Sequence, residues 1–182
     1  MIKNVKDLKK YISVERDIYH KLGYKNRILS FLNQSEIGEI YKYIKLLRYD
    51  EYFTNKGFYL LRVLVRRKRN KVGVKLGINI PVNTCEIGIT IYHSNGIIVN
   101  AKTKIGKYCK LHGDNCIGND GKNDDIVPII KDNVDIGVGA KIIGNACIGD
   151  NTNIGANAVV LKGNYEDGAV LVGIPARNIL KK

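Results

Sequence analysis

The chain has 182 residues and a formal net charge of +13, room for one domain or for a core domain with a smaller appendage. Hydrophobic residues make up 45% of it, which supports a packed core and excludes wholesale disorder. No run of about 18 apolar residues marks a membrane span, and Met1 to Lys10 lacks the apolar run of a signal peptide.

The charge is uneven. Residues 1–77 hold 19 Lys and Arg against 7 Asp and Glu, which leaves 11 against 10 for residues 78–182. The first part, residues 1–75, is expected to be a basic α-helical region of three or four short helices. Ile37, Ile40, Ile44 and Leu47 have helical spacing, as do Leu60, Leu61, Leu64 and Val65, and Asn55-Lys56-Gly57 marks a break. Tyr41, Tyr43, Tyr49, Tyr52 and Tyr59 suit core or oligomer contacts better than a ligand platform. The basic residues within 62–75, centred on Arg66-Arg67-Lys68-Arg69, form either a solvated face or a contact with a peripheral membrane surface or anionic substrate. No recognition-helix or RNP pattern accompanies them, so nucleic acid is not an expected partner.

From residue 76 to 182 the pattern changes. An aliphatic residue returns every six positions at Ile136, Ile142, Ile148, Ile154 and Val160, and in the same phase upstream at Ile87, Val99, Ile105, Leu111 and Ile117. Four places after it comes a small residue: Thr103, Cys109, Ala140, Ala146, Thr152, Ala158. Such self-similarity fixes the architecture. Three hexads make one coil of a triangular prism, with aliphatic and small side chains inside, where a large residue would overfill a narrow core. Glycines and Asn145, Asn151 and Asn157 are expected at corners, where left-handed backbone angles are cheap for such residues. The fold class is therefore mainly β, a left-handed parallel β-helix with a small N-terminal helical region.

The phase breaks between Ile117 and Ile130, 13 positions apart rather than 12. At least one extra residue leaves the prism there, in a loop at about 118–129 that is either functional or a solvated bulge. A tail at 163–182 follows the last hexads. The four cysteines, Cys85, Cys109, Cys116 and Cys147, contain no C-x-x-C pair and are read as reduced small side chains. The expected compartment is the cytoplasm, or the inner face of its membrane.

Histidine is the side chain most often used as a general base near neutral pH. Of three histidines, His20 falls in the helical part and is expected at the surface. His93 and His112 lie 19 residues apart, on neighbouring coils. His93 stands in an aliphatic slot, so either the coil distorts there or the register shifts and turns the imidazole outward. A histidine that breaks a repeat beside a second one favours a functional over a structural role.

Tyr92-His93-Ser94-Asn95-Gly96-Ile97 resembles the block that carries the catalytic base in serine O-acetyltransferases and their polysaccharide-modifying relatives. Cys109-Lys110-Leu111-His112-Gly113-Asp114 resembles the next block of the capsular, colanic-acid and exopolysaccharide O-acetyltransferases. Ile154-Gly155-Ala156-Asn157-Ala158 and Val172-Gly173-Ile174-Pro175-Ala176-Arg177 are similar to the acetyl-CoA-binding end of the wider superfamily. The resemblance covers residues 74–179. It implies His93 as general base, Val138, Ala156, Lys162 and Arg177 along an acetyl-CoA channel, no metal, and a homotrimer with the site between subunits. His112 and Asn79 would touch the acceptor.

Two positions depart from serine acetyltransferases. Asn79 stands where an aspartate orients the base, and Val127, not histidine, precedes Pro128. An amide cannot stabilise an imidazolium as a carboxylate does. The expected function is therefore acetyl transfer from acetyl-CoA to a sugar hydroxyl in capsule or exopolysaccharide synthesis, on a sugar or lipid-linked saccharide. A serine O-acetyltransferase and a non-catalytic trimeric scaffold are the alternatives. A zinc hydrolyase on the same helix would need three histidine ligands, and the repeat holds two.

Overall fold

A computed structural model describes residues 1–25 and 35–180. Three helices, α1 (Val5–Lys21), α2 (Glu36–Lys56) and α3 (Tyr59–Leu76), precede the repeat in these residues. They are longer than the short helices expected. Asn4 and Asp7 close a reciprocal capping box at the start of α1. The expected break is real: Gly57 adopts φ 74° as the C-cap of α2, a left-handed turn that suits glycine. No described helix is long and apolar enough to cross a membrane.

Parallel strands then wind through three sheets. One face is β1 (Ile78–Asn79), β3 (Ile97–Val99), β6 (Cys116–Gly118), β9 (Lys141–Ile143) and β12 (Val159–Val160). The second is β4 (Lys104–Ile105), β7 (Ile129–Ile130), β10 (Ala146–Ile148) and β13 (Gly163–Tyr165). The third is β2 (Thr90–Ile91), β5 (Lys110–Leu111), β8 (Asp135–Ile136), β11 (Asn153–Ile154) and β14 (Val170–Gly173), with β15 (Ala176–Asn178) turning back antiparallel on β14. Every aliphatic residue named in the hexad phase is buried, and so are the small residues Thr103, Cys109, Ala140, Ala146, Thr152 and Ala158. The inward stack is thus the one the period demands.

Details of the winding differ from expectation. Asn151 and Asn157 are left-handed, but at the third named corner Gly144, not Asn145, takes the positive φ. Register pairs Ile105 with Ile130 and Leu111 with Ile136, 25 residues on, whereas an undisturbed coil such as Ile142 to Val160 takes 18. The excursion between β6 and β7 therefore inserts seven residues. Counting hexads along the chain sets only a minimum of one, because the strands on either side belong to adjacent faces rather than to alternate ones.

The helices close the first coils. Tyr19, Ile40, Tyr43, Ile44 and Leu47 share one core with Ile78, Ile80, Ile89 and Ile91. Tyr19 Oη accepts from Ile91 N at 3.0 Å, and Tyr43 Oη accepts from Ile80 N at 2.9 Å. Arg48 is fully buried. It binds Glu15 at 2.6 Å and Glu51 at 2.9 Å and donates to the carbonyls of Cys85 and Glu86, both at 2.9 Å. Two carboxylates hold its guanidinium charged, against the burial that opposes charge.

The basic stretch of α3 does not form one free face. Arg66 and Arg69 turn to Asp50, at 3.1 and 2.9 Å, and Lys75 lies 3.8 Å from Glu39. Arg67, Lys68 and Lys71 remain exposed beside the exposed Leu60, Leu61 and Leu64.

Candidate functional site

The site forms along one edge of the prism, where the third face passes into the first. Backbone bonds stack its corners. Asp114 N donates to Asn95 O at 2.7 Å, Gly139 N to Gly113 O at 3.0 Å, and Asn157 N to Val138 O at 2.8 Å. The corner after β2 carries His93, and the corner after β5 carries His112. Val138 and Ala156 are on the next two. With coils about 4.8 Å apart, His93 stands roughly 10 Å from the Val138 turn and roughly 14 Å from the Ala156 turn.

His93 owes its exposure to length. Ile98 follows Ile91 by seven positions, whereas Cys116 follows Leu111 by five, although both pairs are in register. The His93 corner is thus two residues longer than the one stacked on it. The excess lifts residues 92–96 off the aliphatic phase, and Asn95 and Gly96 both turn left-handed (φ 74° and 71°). His93 leaves the core, with 72% of its side chain exposed. Of the two alternatives the sequence left open, the outward shift is the one observed. Gly113 sits beneath: a Cβ there would lie 3.3 Å from His93 O and 3.4 Å from its Cβ.

A carboxylate that sequence reasoning missed stands beside His93. Glu36, the first residue of α2, places Oε2 at 3.5 Å from His93 Nδ1. Its Oε1 accepts from the backbone N and from the hydroxyl of Ser94, each at 2.7 Å. Those two bonds, then His93, hold the Glu36 carboxyl below the usual range. Nothing in the sequence links Glu36 to a residue 57 positions later.

His112 has its own partner. Its Nε2 is 2.7 Å from Asp135 Oδ1, which also belongs to the residue that binds Lys110 Nζ at 3.1 Å. The imidazole stacks on Tyr92, with ring centroids 4.5 Å apart and planes 19° off parallel. The two histidines are on neighbouring coils as expected, but Tyr92, not His93, is the residue directly over His112. Asp135 becomes visible only once the insertion is counted as seven, which brings it beside Lys110.

The remaining residues divide. Val138 and Ala156 are exposed at corresponding turns of adjacent coils, and their neighbours leave no room for side chains: a Cβ on Gly137 would lie 2.7 Å from Ala156 N. Arg177, on β15, is exposed and paired with Val172 at the end of the same edge. Lys162 is exposed at the next edge, after β12, which is also where the excursion leaves the prism. Asn79 is exposed on β1 and pairs with Ile98.

Comparison with known proteins corrects the expected function. No family model matches the chain. A serine acetyltransferase from Helicobacter pylori (strain J99) is 30% identical over 125 residues, 68% of this chain and 71% of the relative. One from Synechococcus elongatus is 39% identical over 95 residues, 52% of this chain but only 38% of that longer protein. Among solved structures, a serine acetyltransferase in complex with CoA superposes with a TM-score of 0.66 at 28% identity, covering 78% of this chain and 57% of that one.

The closeness to capsular and exopolysaccharide enzymes drawn from the His112 block is not supported, and the reading as a sugar O-acetyltransferase is overturned by these matches. That reading leaned on the missing carboxylate at Asn79. The structure brings one to His93 from α2 instead. By the Helicobacter match, and with the β-helix fold shared with the CoA complex, the chain belongs to the serine acetyltransferase family.

Proposed function

We propose that the protein is an acetyl-CoA-dependent O-acetyltransferase acting on the hydroxyl of L-serine, with residues 76–182 as the catalytic unit and residues 1–75 as its helical support. The observation that carries the reading is the shared edge: an outward histidine beside a carboxylate, in line with two exposed turns whose glycines let adjacent coils stack closely. Family membership supports the choice of acceptor.

In this reading His93 takes the acceptor's hydroxyl proton, since a neutral alcohol is a poor nucleophile. Val138 and Ala156 border the carrier through backbone groups, which suits turns too tight for added side chains. Acetyl-CoA, when bound, supplies the activated acyl group. Lys162 and Arg177, both exposed cations, would answer its phosphates. His112, held by Asp135 and stacked on Tyr92, and Asn79 on β1 border the acceptor side. A closed C3 trimer would set the edge of one subunit against its neighbour.

The test is CoA release from acetyl-CoA in the presence of L-serine, for wild type and His93→Ala. Turnover should fall by about 10²–10⁴-fold in the variant. Equal rates would remove His93 as the base. Tight acetyl-CoA binding without serine turnover by the wild type would overturn the acceptor.

A further inference from the structure

We infer that Glu36 is a positioning residue for His93, so that the helical region completes the site on the prism's edge. The inference rests on the reading of His93 as the base, and it deepens that reading by naming what holds the imidazole.

Three contacts made by one carboxylate point to it. Oε1 takes both hydrogens that Ser94 can offer, from its backbone N and its Oγ, at 2.7 Å each. The carboxylate is thereby fixed whatever the imidazole does. Oε2 is left facing His93 Nδ1 at 3.5 Å. Contacts of this kind are commonly long before a substrate is bound. Glu36 stays ionised because charge-assisted bonds from Ser94 favour the carboxylate, the His93 contribution being smaller.

The base of that carboxylate is rigid. Ser35 caps α2 by accepting from Gly38 N at 3.3 Å. Ile40, Ile44 and Leu47 on the same helix are fully buried, and Tyr43 is tied to Ile80 of the first coil. The other partner is the longer corner, whose two extra residues carry His93 and Ser94 out to meet α2. A carboxylate on a clamped helix and a histidine on an extended corner meet although 57 positions separate them. Asn79, paired with Ile98 on β1, supplies no carboxylate from the prism itself.

The chemistry follows from which nitrogen bears the proton. A neutral imidazole has one N–H and one lone pair, and the bond made by one nitrogen selects the role of the other. With Nδ1–H donated to Glu36, Nε2 keeps its lone pair for the acceptor hydroxyl. Once His93 has taken that proton, the adjacent carboxylate stabilises the imidazolium.

The tautomer can be read without turnover. Imidazole ¹⁵N spectra of the histidine-labelled protein, with the His93 signals assigned by their loss in His93→Gln, should show neutral His93 protonated on Nδ1. In Glu36→Ala the proton should move to Nε2, and the same tautomer in both proteins would overturn the inference. Kinetically, Glu36→Ala should lower kcat about 10–100-fold while KM for acetyl-CoA changes less than about twofold. Glu36→Gln, which can still accept from Ser94 N, guards against misfolding. It should melt cooperatively only slightly below wild type and still lose about tenfold in kcat. Unchanged kcat in both Glu36 variants, with His93→Ala inactive, would sink the role of Glu36 and leave the proposed function standing.

Discussion

The prism and the helical region are held by opposite means. In the prism the same few interactions recur on every coil: aliphatic on aliphatic, a small side chain at the tight inner position, and backbone bonds from strand to strand. In the helical region each contact is singular. One arginine satisfies Glu15, Glu51 and two carbonyls, and two tyrosine hydroxyls each take one backbone N–H of the first coil. A repeated interaction spreads the consequence of a substitution over many equivalents. A singular one concentrates it, because a buried polar group stripped of its partner keeps its desolvation cost and gains nothing in return.

Substitutions should expose that contrast. The largest effect is expected for Arg48→Met, which leaves Glu15 and Glu51 buried without their cation. About 3–5 kcal/mol of stability should be lost, measurable as a drop in the urea midpoint. A loss below that of a single core methyl would show that water reaches the pair and that the region is not singular. Next comes Tyr19→Phe, which strands Ile91 N in the core at about 1–3 kcal/mol. Smaller again is Ile142→Val in the middle of the stack, at about 0.5–1.5 kcal/mol. Should Ile142→Val prove as costly as Tyr19→Phe in thermal melts, the prism would not share its load.

A pH effect is the smallest and locates the joint between the regions. The Glu36 carboxyl is depressed chiefly by the Ser94 N–H and hydroxyl. A depressed acid stabilises the fold above its unfolded pKa and loses that contribution as pH falls through the folded value. Wild type should therefore lose slightly more stability than Glu36→Gln on going from neutral pH to below the ordinary glutamate range. Parallel pH profiles for the two would show that the clamp contributes nothing to folding. The thiols give an independent check on burial: Cys85 and Cys109 are pushed up to about 12 by desolvation, and thiolate is the reactive form. A disulfide reagent should modify the half-buried Cys116 and Cys147 first and reach the other pair only on unfolding.

The same contrast explains what could be read from the residues. Period six is a local signal, so Ile136 to Val160 and the small residues between them announced the prism directly. His93 announced its own exposure by occupying an aliphatic position. The excursion has only a lower bound in the sequence, because chain counting does not say which face the next strand joins, and so Asp135 cannot be placed beside His112 from spacing alone. Glu36 and Arg48 were illegible for a deeper reason. Each acts across a junction between architectures, and neither spacing nor composition encodes which helix end meets which corner. Asn79 illustrates the consequence: the carboxylate missing at that position says nothing about the acceptor, because another chain segment brings a carboxylate to the imidazole.

The stacked corners have one more consequence. Since they share an edge and rise by about 4.8 Å per coil, the prism is a graduated ruler, and whatever binds along that edge is measured in whole coils. Separation between the His93 corner and the Val138 and Ala156 turns cannot drift by fractions of an ångström as loops lengthen elsewhere. It can change only by adding or removing a complete coil of 18 residues, such as the one from Ile142 to Val160. Insertions are thereby channelled sideways, as the seven residues after β6 already show, and the gauge between the two ends of the edge is left intact.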